Sequence, residues 1–318
     1  MKRTPADMSR NRRRIVAESS FVNASLPPPM LIIFNPVAGR RRAHLLWRVL
    51  DHLVANGIRL EIAETTRRGD AEALARAAAA RGAPLVVAAG GDGTIAEVAN
   101  GLIGSASALG LIPLGTANVL AHEIGLPLAP IGIAAALAFA RTRPLWPGIA
   151  HGPDGARLFV QMLGVGFDAQ VVHRLGPRLK RLCGRGAYVM QSARELARYR
   201  FPPLHLRVDG HDHVAFSVII SKGRLYGGRY MLAPEAMSHE PGFSVVLFDR
   251  SGPGAALLSG TFLPLDLLPR APGMRRLRAE RIEFLGNAPA PAQADGDPAG
   301  WLPLSITGTP VPIQVVVG

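Results

Sequence analysis

Lysine, cysteine and long apolar runs are what this 318-residue chain has least of. Lys2, Lys180 and Lys222 are its only lysines, yet the formal net charge is +13, so arginine carries the basic character. A bias of that kind also follows from gene base composition, and charge alone excludes little; it does predict attraction to polyphosphate and to anionic lipid surfaces. The single cysteine, Cys183, excludes an internal disulfide framework and fits a reducing, cytoplasmic setting. The most apolar stretch, Ile124 to Ala140, is interrupted by Pro127 and Pro130. It falls short of the roughly 20 residues that a membrane-spanning helix needs. Aromatic residues make up 6% and are not interleaved with the arginines, which argues against a nucleic-acid surface. Residues 1–29 carry Arg10, Arg12, Arg13 and Arg14, end in Pro27-Pro28-Pro29 and lack the apolar core of a signal peptide. They read as a disordered basic tail, with an electrostatic membrane tether as the sharper alternative. The chain as a whole is 48% hydrophobic, enough for two domains with cores of their own.

The strongest signal present is Gly90-Gly91-Asp92-Gly93-Thr94, directly behind the run Pro84-Leu85-Val86-Val87-Ala88-Ala89. Apolar residues stopped by Gly-Gly predict a buried strand and a tight turn, and Thr94 to Asn100 continues at helical spacing. Backbone N–H groups at such a turn, free of bulky Cβ atoms, favour an anion at the helix N-terminus. Asp92 sets a negative charge at that anion-friendly place. A divalent cation between Asp92 and a polyphosphate removes the conflict, so the motif predicts nucleoside triphosphate plus magnesium.

Around this turn the first half alternates strands and helices. Leu31 to Phe34 predicts a strand entering a loop at Asn35-Pro36-Val37-Ala38-Gly39, and Arg40 to Ala55 a helix. Ile58 to Ala63 predicts a second strand, Asp70 to Arg81 an alanine-rich helix, and Leu109 to Ile112 a strand ending at Pro113-Leu114-Gly115-Thr116-Ala117-Asn118. That order predicts a parallel α/β sheet whose loops at Asn35, Thr65, Gly90 and Gly115 share the carboxyl edge, where ligands bind. Beyond residue 145 the pattern becomes short strands: Leu158 to Leu163, Leu204 to Val208, Val214 to Ile220, Phe243 to Phe248 and Arg281 to Leu285. They predict an antiparallel β domain, interrupted by a helix from Ala187 to Tyr199. The expected division is residues 30–145 and 146–318, the last segment able to pack back on the first domain.

Taken in order, these motifs resemble the diacylglycerol kinase catalytic-domain family, which includes bacterial lipid kinases and sphingosine kinases. The matching pieces are Asn35-Pro36-x-x-Gly39, Thr65-Thr66 with Gly69-Asp70-Ala71, the Gly-Gly-Asp-Gly-Thr turn and Pro113-Leu114-Gly115-Thr116-Ala117-Asn118. Further on stand Gly164-x-Gly166-Phe167-Asp168-Ala169, Tyr226-Gly227-Gly228 and Asp295-Gly296-Asp297. The resemblance implies a phosphofructokinase-like α/β nucleotide-binding domain followed by a β-sandwich-like domain. It implies ATP on Asn35, Gly39, Thr65, Gly90, Gly91, Asp92, Gly93, Thr94 and Thr116, with Mg2+ at Asp92. With no lysine in the first domain, arginines such as Arg40, Arg41 and Arg42 would meet phosphate charge. Asp295 matches the general base, which must reach the acceptor hydroxyl in line with the γ-phosphate. Asp297 stands where the family usually has Glu. Some members bind a structural Mg2+ after the Tyr-Gly-Gly segment, which maps to Met237, Glu240 and Gly242, although Glu240-Pro241-Gly242 departs from the usual Asp-Gly.

The activity implied is transfer of the γ-phosphoryl group of ATP to the hydroxyl of a diacylglycerol-like or sphingoid lipid, by a cytoplasmic enzyme peripheral to an anionic membrane, with sheet edges open to homodimer pairing. An NAD kinase-like activity on a soluble nucleotide and a nonenzymatic nucleotide or lipid sensor remain alternatives. Other features read blandly. Gly164 to Ala169 mimics a dinucleotide fingerprint, but neither a clear helix nor a ribose-binding acid follows it. His211-Asp212-His213 suits an exposed hairpin better than a metal site, and Cys183 reads as inert. Phe262 to Leu268, followed by Arg275, Arg276 and Arg278, reads equally as a lipid-facing lip and as ordinary core and surface.

Overall fold

The computed structural model describes residues 28–39, 42–176, 185–286 and 290–318. Strands β1 (Met30–Phe34), β2 (Leu60–Glu64), β3 (Leu85–Gly90) and β4 (Ala108–Pro113) run parallel in the spatial order β2-β1-β3-β4. The helices between and after them are α1 (Pro36–Gly39), α2 (Ala43–Ala55), α3 (Asp70–Ala80), α4 (Asp92–Leu102), α5 (Val119–Glu123) and α6 (Pro130–Phe139). β3 and β4 are buried along their whole length, which their unbroken apolar runs require on a sheet covered on both faces. Edge strand β2 is largely open. The expected loop after Asn35 is a single helical turn instead, because the Asn35 Oδ1 accepts hydrogen bonds from the Val37 and Ala38 amides and caps it.

The sheet is completed from further along the chain. β5 (Thr142–Leu145) is its antiparallel edge, where Pro144 costs no ladder bond. The last strand of all, β20 (Ile313–Val316), inserts between β4 and β5.

Between these two strands lie two antiparallel six-stranded sheets. One is built from β6 (Gly148–Gly152), β7 (Gly155–Phe159), β9 (Leu204–Val208), β10 (His211–Ala215), β16 (Arg281–Leu285) and β19 (Ser305–Gly308), in the order β10-β9-β16-β19-β6-β7. The other contains β8 (Met162–Gly166), β11 (Ser217–Ser221), β14 (Phe243–Phe248), β15 (Met274–Ala279), β17 (Pro291–Ala294) and β18 (Asp297–Trp301), in the order β15-β14-β11-β8-β17-β18. Their inner faces share one core, in which Phe159, Leu206, Ile220, Val245, Phe284 and Ile306 are buried together. Alternate residues of the second sheet, among them Met162, Ile219 and Val246, pack on its other face under Leu232, Ala233 and Leu268. Helices α7 (Phe167–Arg174), α8 (Arg185–Leu196) and α9 (Pro253–Phe262) and the small hairpin of β12 (Leu225–Tyr226) and β13 (Tyr230–Met231) complete this half.

Two expected strands are each two strands in different sheets. Leu158 to Leu163 breaks at Val160-Gln161, and Val214 to Ile220 breaks at Phe216. In both, the chain turns from one sheet of the sandwich to the other while both flanks stay apolar, so periodicity carries no mark of the corner.

Candidate active site

A cleft of about 1780 Å³ runs between the carboxyl edge of the parallel sheet and the outer face of the second antiparallel sheet. A single small ligand fills roughly 300–1,000 Å³, so the cleft has room for two substrates. All four carboxyl-edge loops reach it, with Asn35, Thr65, Gly91 to Thr94, Gly115 and Thr116 along one wall and Asp295, Gly296 and Asp297 on the other.

The loops of the first wall are latched by side chains. Asn35 Nδ2 donates to Thr94 Oγ1 at 3.0 Å, tying the first loop to the glycine turn. Asp92, in the first turn of α4, reaches across to the next loop. Its Oδ2 accepts from the Asn118 amide at 3.0 Å and its Oδ1 from the Val119 amide at 2.7 Å. The two glycine loops touch through their backbones: a Cβ on Gly115 would stand 2.6 Å from the Gly91 Cα. Thr65 and Thr116 line the cleft, whereas Gly39 closes α1 and Gly90 ends β3 behind the turn. Asp70 accepts from the Thr66 hydroxyl and amide and from Arg67, bonds that hold its carboxyl well below the usual range. Of the arginines expected to face phosphate, Arg42 lines the cleft and Arg40 and Arg41 fall outside the described residues. Arg67 and Arg68, which the sequence reading did not single out, line it as well.

The opposite wall is a two-residue hairpin between β17 and β18. Asp295 and Gly296 both have positive φ, 50° and 81°, as a tight hairpin of this kind requires. The Asp295 carboxylate turns back onto the corner between β7 and β8. Oδ2 accepts from the Val160 amide at 2.7 Å, and Oδ1 accepts from the Gln161 and Met162 amides at 2.9 and 3.0 Å. Burial nevertheless wins: it pushes the Asp295 carboxyl up to about 6 against these stabilising amides, with the nearby charge of Asp92 acting in the same direction as burial. A carboxylate fixed in place and ionised just below neutral pH is suited to take a proton from a substrate hydroxyl. Asp297 meets the glycine turn directly, since a Cβ on Gly93 would lie 3.1 Å from its Oδ2, and Arg68 stands 3.7 Å from the same oxygen.

A buried relay supports that hairpin, and the sequence reading assigned it no role. Tyr226 Oη donates to Asp168 Oδ1, and Gln293 Nε2 donates to Asp168 Oδ2 at 2.7 Å. Gln293 Oε1 in turn accepts from the Gly296 amide at 2.8 Å. Burial raises the Asp168 carboxyl, opposed by its bonds from Tyr226 and Gln293. The relay crosses Gly164 of β8, where a Cβ would collide with the Asp168 carboxylate and Gln293 amide.

Three carboxylates, Asp92, Asp295 and Asp297, line one cleft, with the oxygens of Asp92 and Asp295 turned onto backbone amides. Among the described residues no three His, Cys, Asp or Glu side chains form a self-sufficient metal site. A magnesium ion here would take its remaining ligands from phosphate and water, as it usually does. The second ion, expected at Met237, Glu240 and Gly242, meets a different situation. The buried Lys222 ammonium donates to the main-chain carbonyls of Glu240, at 2.9 Å, and Gly242, and stands 5.1 Å from the centre of the Phe243 ring. A cation already occupies those carbonyls, so they do not fit a metal while Lys222 is there. Met237 contributes a carbonyl to the Glu240 amide, within the same turn.

Other expectations need adjustment. A helix, α7, does follow Gly166, but its role is to carry Asp168 into the relay. The hairpin turn near the histidines is Asp209-Gly210, and His211 to His213 begin β10, where Asp212 pairs with Arg207 at 2.7 Å. Arg275, Arg276 and Arg278 are not free cations of a lip, being paired with Asp249, Glu235 and Glu240. Cys183 lies outside the described residues.

Comparison with known proteins agrees with this anatomy. Residues 29–147 match the family model for the diacylglycerol kinase catalytic domain, and residues 161–317 that for the YegS C-terminal NAD kinase beta sandwich-like domain. The chain is 36% identical over 187 residues to a probable lipid kinase, YegS-like, of Pseudomonas putida, a match spanning 57% of this chain and 61% of that protein. It is 31% identical over 229 residues to the diacylglycerol kinase of Bacillus subtilis, spanning 69% of this chain and 73% of that one. A crystal structure of a diacylglycerol kinase from Bacillus anthracis shares the fold, with TM-score 0.66 and 19% identity over 91% of this chain and 97% of that one. With both halves matched in order and the glycine turn set against the Asp-Gly hairpin across one cleft, the chain belongs to the diacylglycerol kinase catalytic-domain family.

Proposed function

We propose that the protein is an ATP- and Mg2+-dependent lipid kinase, transferring the γ-phosphoryl group to the hydroxyl of a diacylglycerol-like or sphingoid lipid. The observation that carries this reading is Asp295, anchored by three backbone amides in the same cleft as the glycine turn and near enough to Asp92 to feel its charge. In the reaction the acceptor oxygen forms a bond to the γ-phosphorus, the bond from that phosphorus to the leaving ADP breaks, and the hydroxyl proton passes to Asp295. Amides of Gly91 and Gly93 and the hydroxyls of Thr65 and Thr116 are assigned to ATP, with Arg42 and Arg67 supplying positive charge. Mg2+ would be held by Asp92 and Asp297, and when bound it neutralises charge on the phosphates. On this reading the first domain is of the phosphofructokinase type. The apolar part of the cleft, including Phe167, Val171, Val189, Leu196 and Phe201, supports a lipid acceptor.

Because no helix of the described residues is long and apolar enough to cross a membrane, the acceptor would be reached from the bilayer surface. The test is transfer of radiolabelled γ-phosphate from ATP into a total lipid extract, using wild type and Asp295→Asn. A labelled lipid that disappears with the variant supports the proposal. Labelling of NAD instead, or ATP binding with no product, would replace it with a soluble-nucleotide kinase or a sensor.

A further inference from the structure

We propose that the tip formed by α9 and the chain just beyond it, residues 263–270, is the surface on which the protein rests on an anionic bilayer. This rests on the lipid-kinase reading and names the membrane face of that same cleft.

Helix α9, Pro-Gly-Ala-Ala-Leu-Leu-Ser-Gly-Thr-Phe, has no buried residue at all, although it is mostly apolar. Leu257 is 57% exposed and Leu265 66%, with Leu258 and Leu267 also open to solvent. Val189 on the neighbouring α8 is 71% exposed. Scattered surface leucines need no explanation, but a mostly apolar helix with no residue fully buried, and of its apolar residues only Ala255, Ala256 and Phe262 half-covered, is a contiguous patch and calls for a partner.

Its position and charge say which partner. Leu257 from α9 and Val189 from α8 are both exposed and part of the cleft lining, so the patch is the rim of the cleft. A lipid entering there keeps its chains out of water. The only charged residues between 253 and 270 are Asp266 and Arg270. Asp266 is engaged, its Oδ1 accepting from the Met231 amide at 2.8 Å, a bond that fastens the β12–β13 hairpin to the tip. That hairpin carries Arg229, and Arg250 lies just before α9. Arg229, Arg250 and Arg270 are exposed and make no ion pair among the described residues. Leucines ringed by unpaired arginines match acyl chains beneath anionic headgroups. A second copy of the chain fits less well, because self-complementary pairing would set the arginine ring against itself.

Sedimentation of the full chain with phosphatidylcholine vesicles, with and without phosphatidylglycerol, tests the proposal. Leu265 and Leu267 lie outside the cleft lining, so L265E/L267E should leave transfer to a lipid in detergent micelles and the melting temperature unchanged. The same variant should weaken binding to anionic vesicles by at least roughly 10-fold, the loss expected when two leucines cannot insert. R229A/R270A should weaken it by about 5-fold per arginine, an effect that disappears on neutral vesicles and in high salt. Unaltered vesicle binding by both variants would overturn the docking surface while leaving the kinase reading intact. So would variants that lose self-association in sedimentation velocity rather than vesicle binding. Leucine- and arginine-dependent vesicle binding without lipid phosphorylation would support the surface and count against the kinase reading alone.

Discussion

Replacing Asp295 with Asn separates the two consequences of burying this carboxyl, one on stability and one on chemistry. Burial raises it from 3.8 to about 6 in the folded protein, and that gap is worth about 3 kcal/mol. Between the two values the folded protein keeps a proton that the unfolded chain has already released. Stability therefore falls as pH rises through this window, and above about pH 6 the wild type bears the whole cost of about 3 kcal/mol. Asparagine never ionises and never bears it. Its Oδ1 can still accept from Gln161 and Met162, but its Nδ2 faces the Val160 amide and leaves that buried N–H unpaired, at a cost of about 1–3 kcal/mol.

The variant should accordingly be the less stable protein in acid and close to wild type, or above it, in mild base. Urea unfolding across this range should show the stability difference moving in its favour by about 3 kcal/mol. Titrating groups that do not interact with Asp295 are common to both proteins and cancel in that difference. A difference that stays constant with pH, or moves the opposite way, would refute the assignment of a raised carboxyl to Asp295. Activity reads the same group independently. Transfer by wild type should fall about tenfold per pH unit below about 6, and the variant should lose roughly 100- to 10,000-fold in kcat with KM for ATP little changed. A variant within a few-fold of wild type would remove Asp295 from the chemistry.

Three further outcomes follow from close contacts. Lys222→Met leaves the Glu240 and Gly242 carbonyls without their cation and should cost about 2–4 kcal/mol in urea unfolding; a loss below about 0.5 kcal/mol would show that the ammonium is not holding this loop. Gly164→Ala pushes the Asp168 carboxylate and the Gln293 amide apart, so the Gly296 amide loses its anchor; kcat should drop more than KM for ATP, with about 1–3 kcal/mol of stability lost. Gly115→Ala forces a Cβ to within 2.6 Å of the Gly91 Cα and should weaken ATP binding in calorimetry by at least roughly tenfold, whereas equal affinity would show that the two loops can part freely.

The parallel half was legible because each of its signals is local. β3 is apolar up to the glycine that stops it, and the helix behind starts at once, so strand, turn and ligand edge can be read from a dozen adjacent residues. The antiparallel half was read less well at its corners. Val160-Gln161 and Phe216 carry the chain from one sheet to the other without glycine or proline, because both flanks remain inside the same core. The Asp295-Gly296 hairpin, to which the proposed chemistry is assigned, shows the limit most clearly, since the protein contains its likeness. Asp209-Gly210 joins β9 to β10 with both φ angles positive, as Asp295-Gly296 joins β17 to β18. Asp209 also receives backbone amides, those of Glu280 and Arg281, but at an exposed edge. Asp295 receives the amides of residues 160–162, buried at the wall of a cleft and opposite Asp92. The residue types are the same; the dielectric and the neighbours are not. The same holds at residues 237–242, where family resemblance suggested a metal and the occupant is Lys222, 18 and 20 residues before the two carbonyls it holds. Both sites are made of main-chain N–H and C=O groups, which nearly every residue possesses. A sequence pattern records which side chain is present, but only the fold decides which backbone it meets.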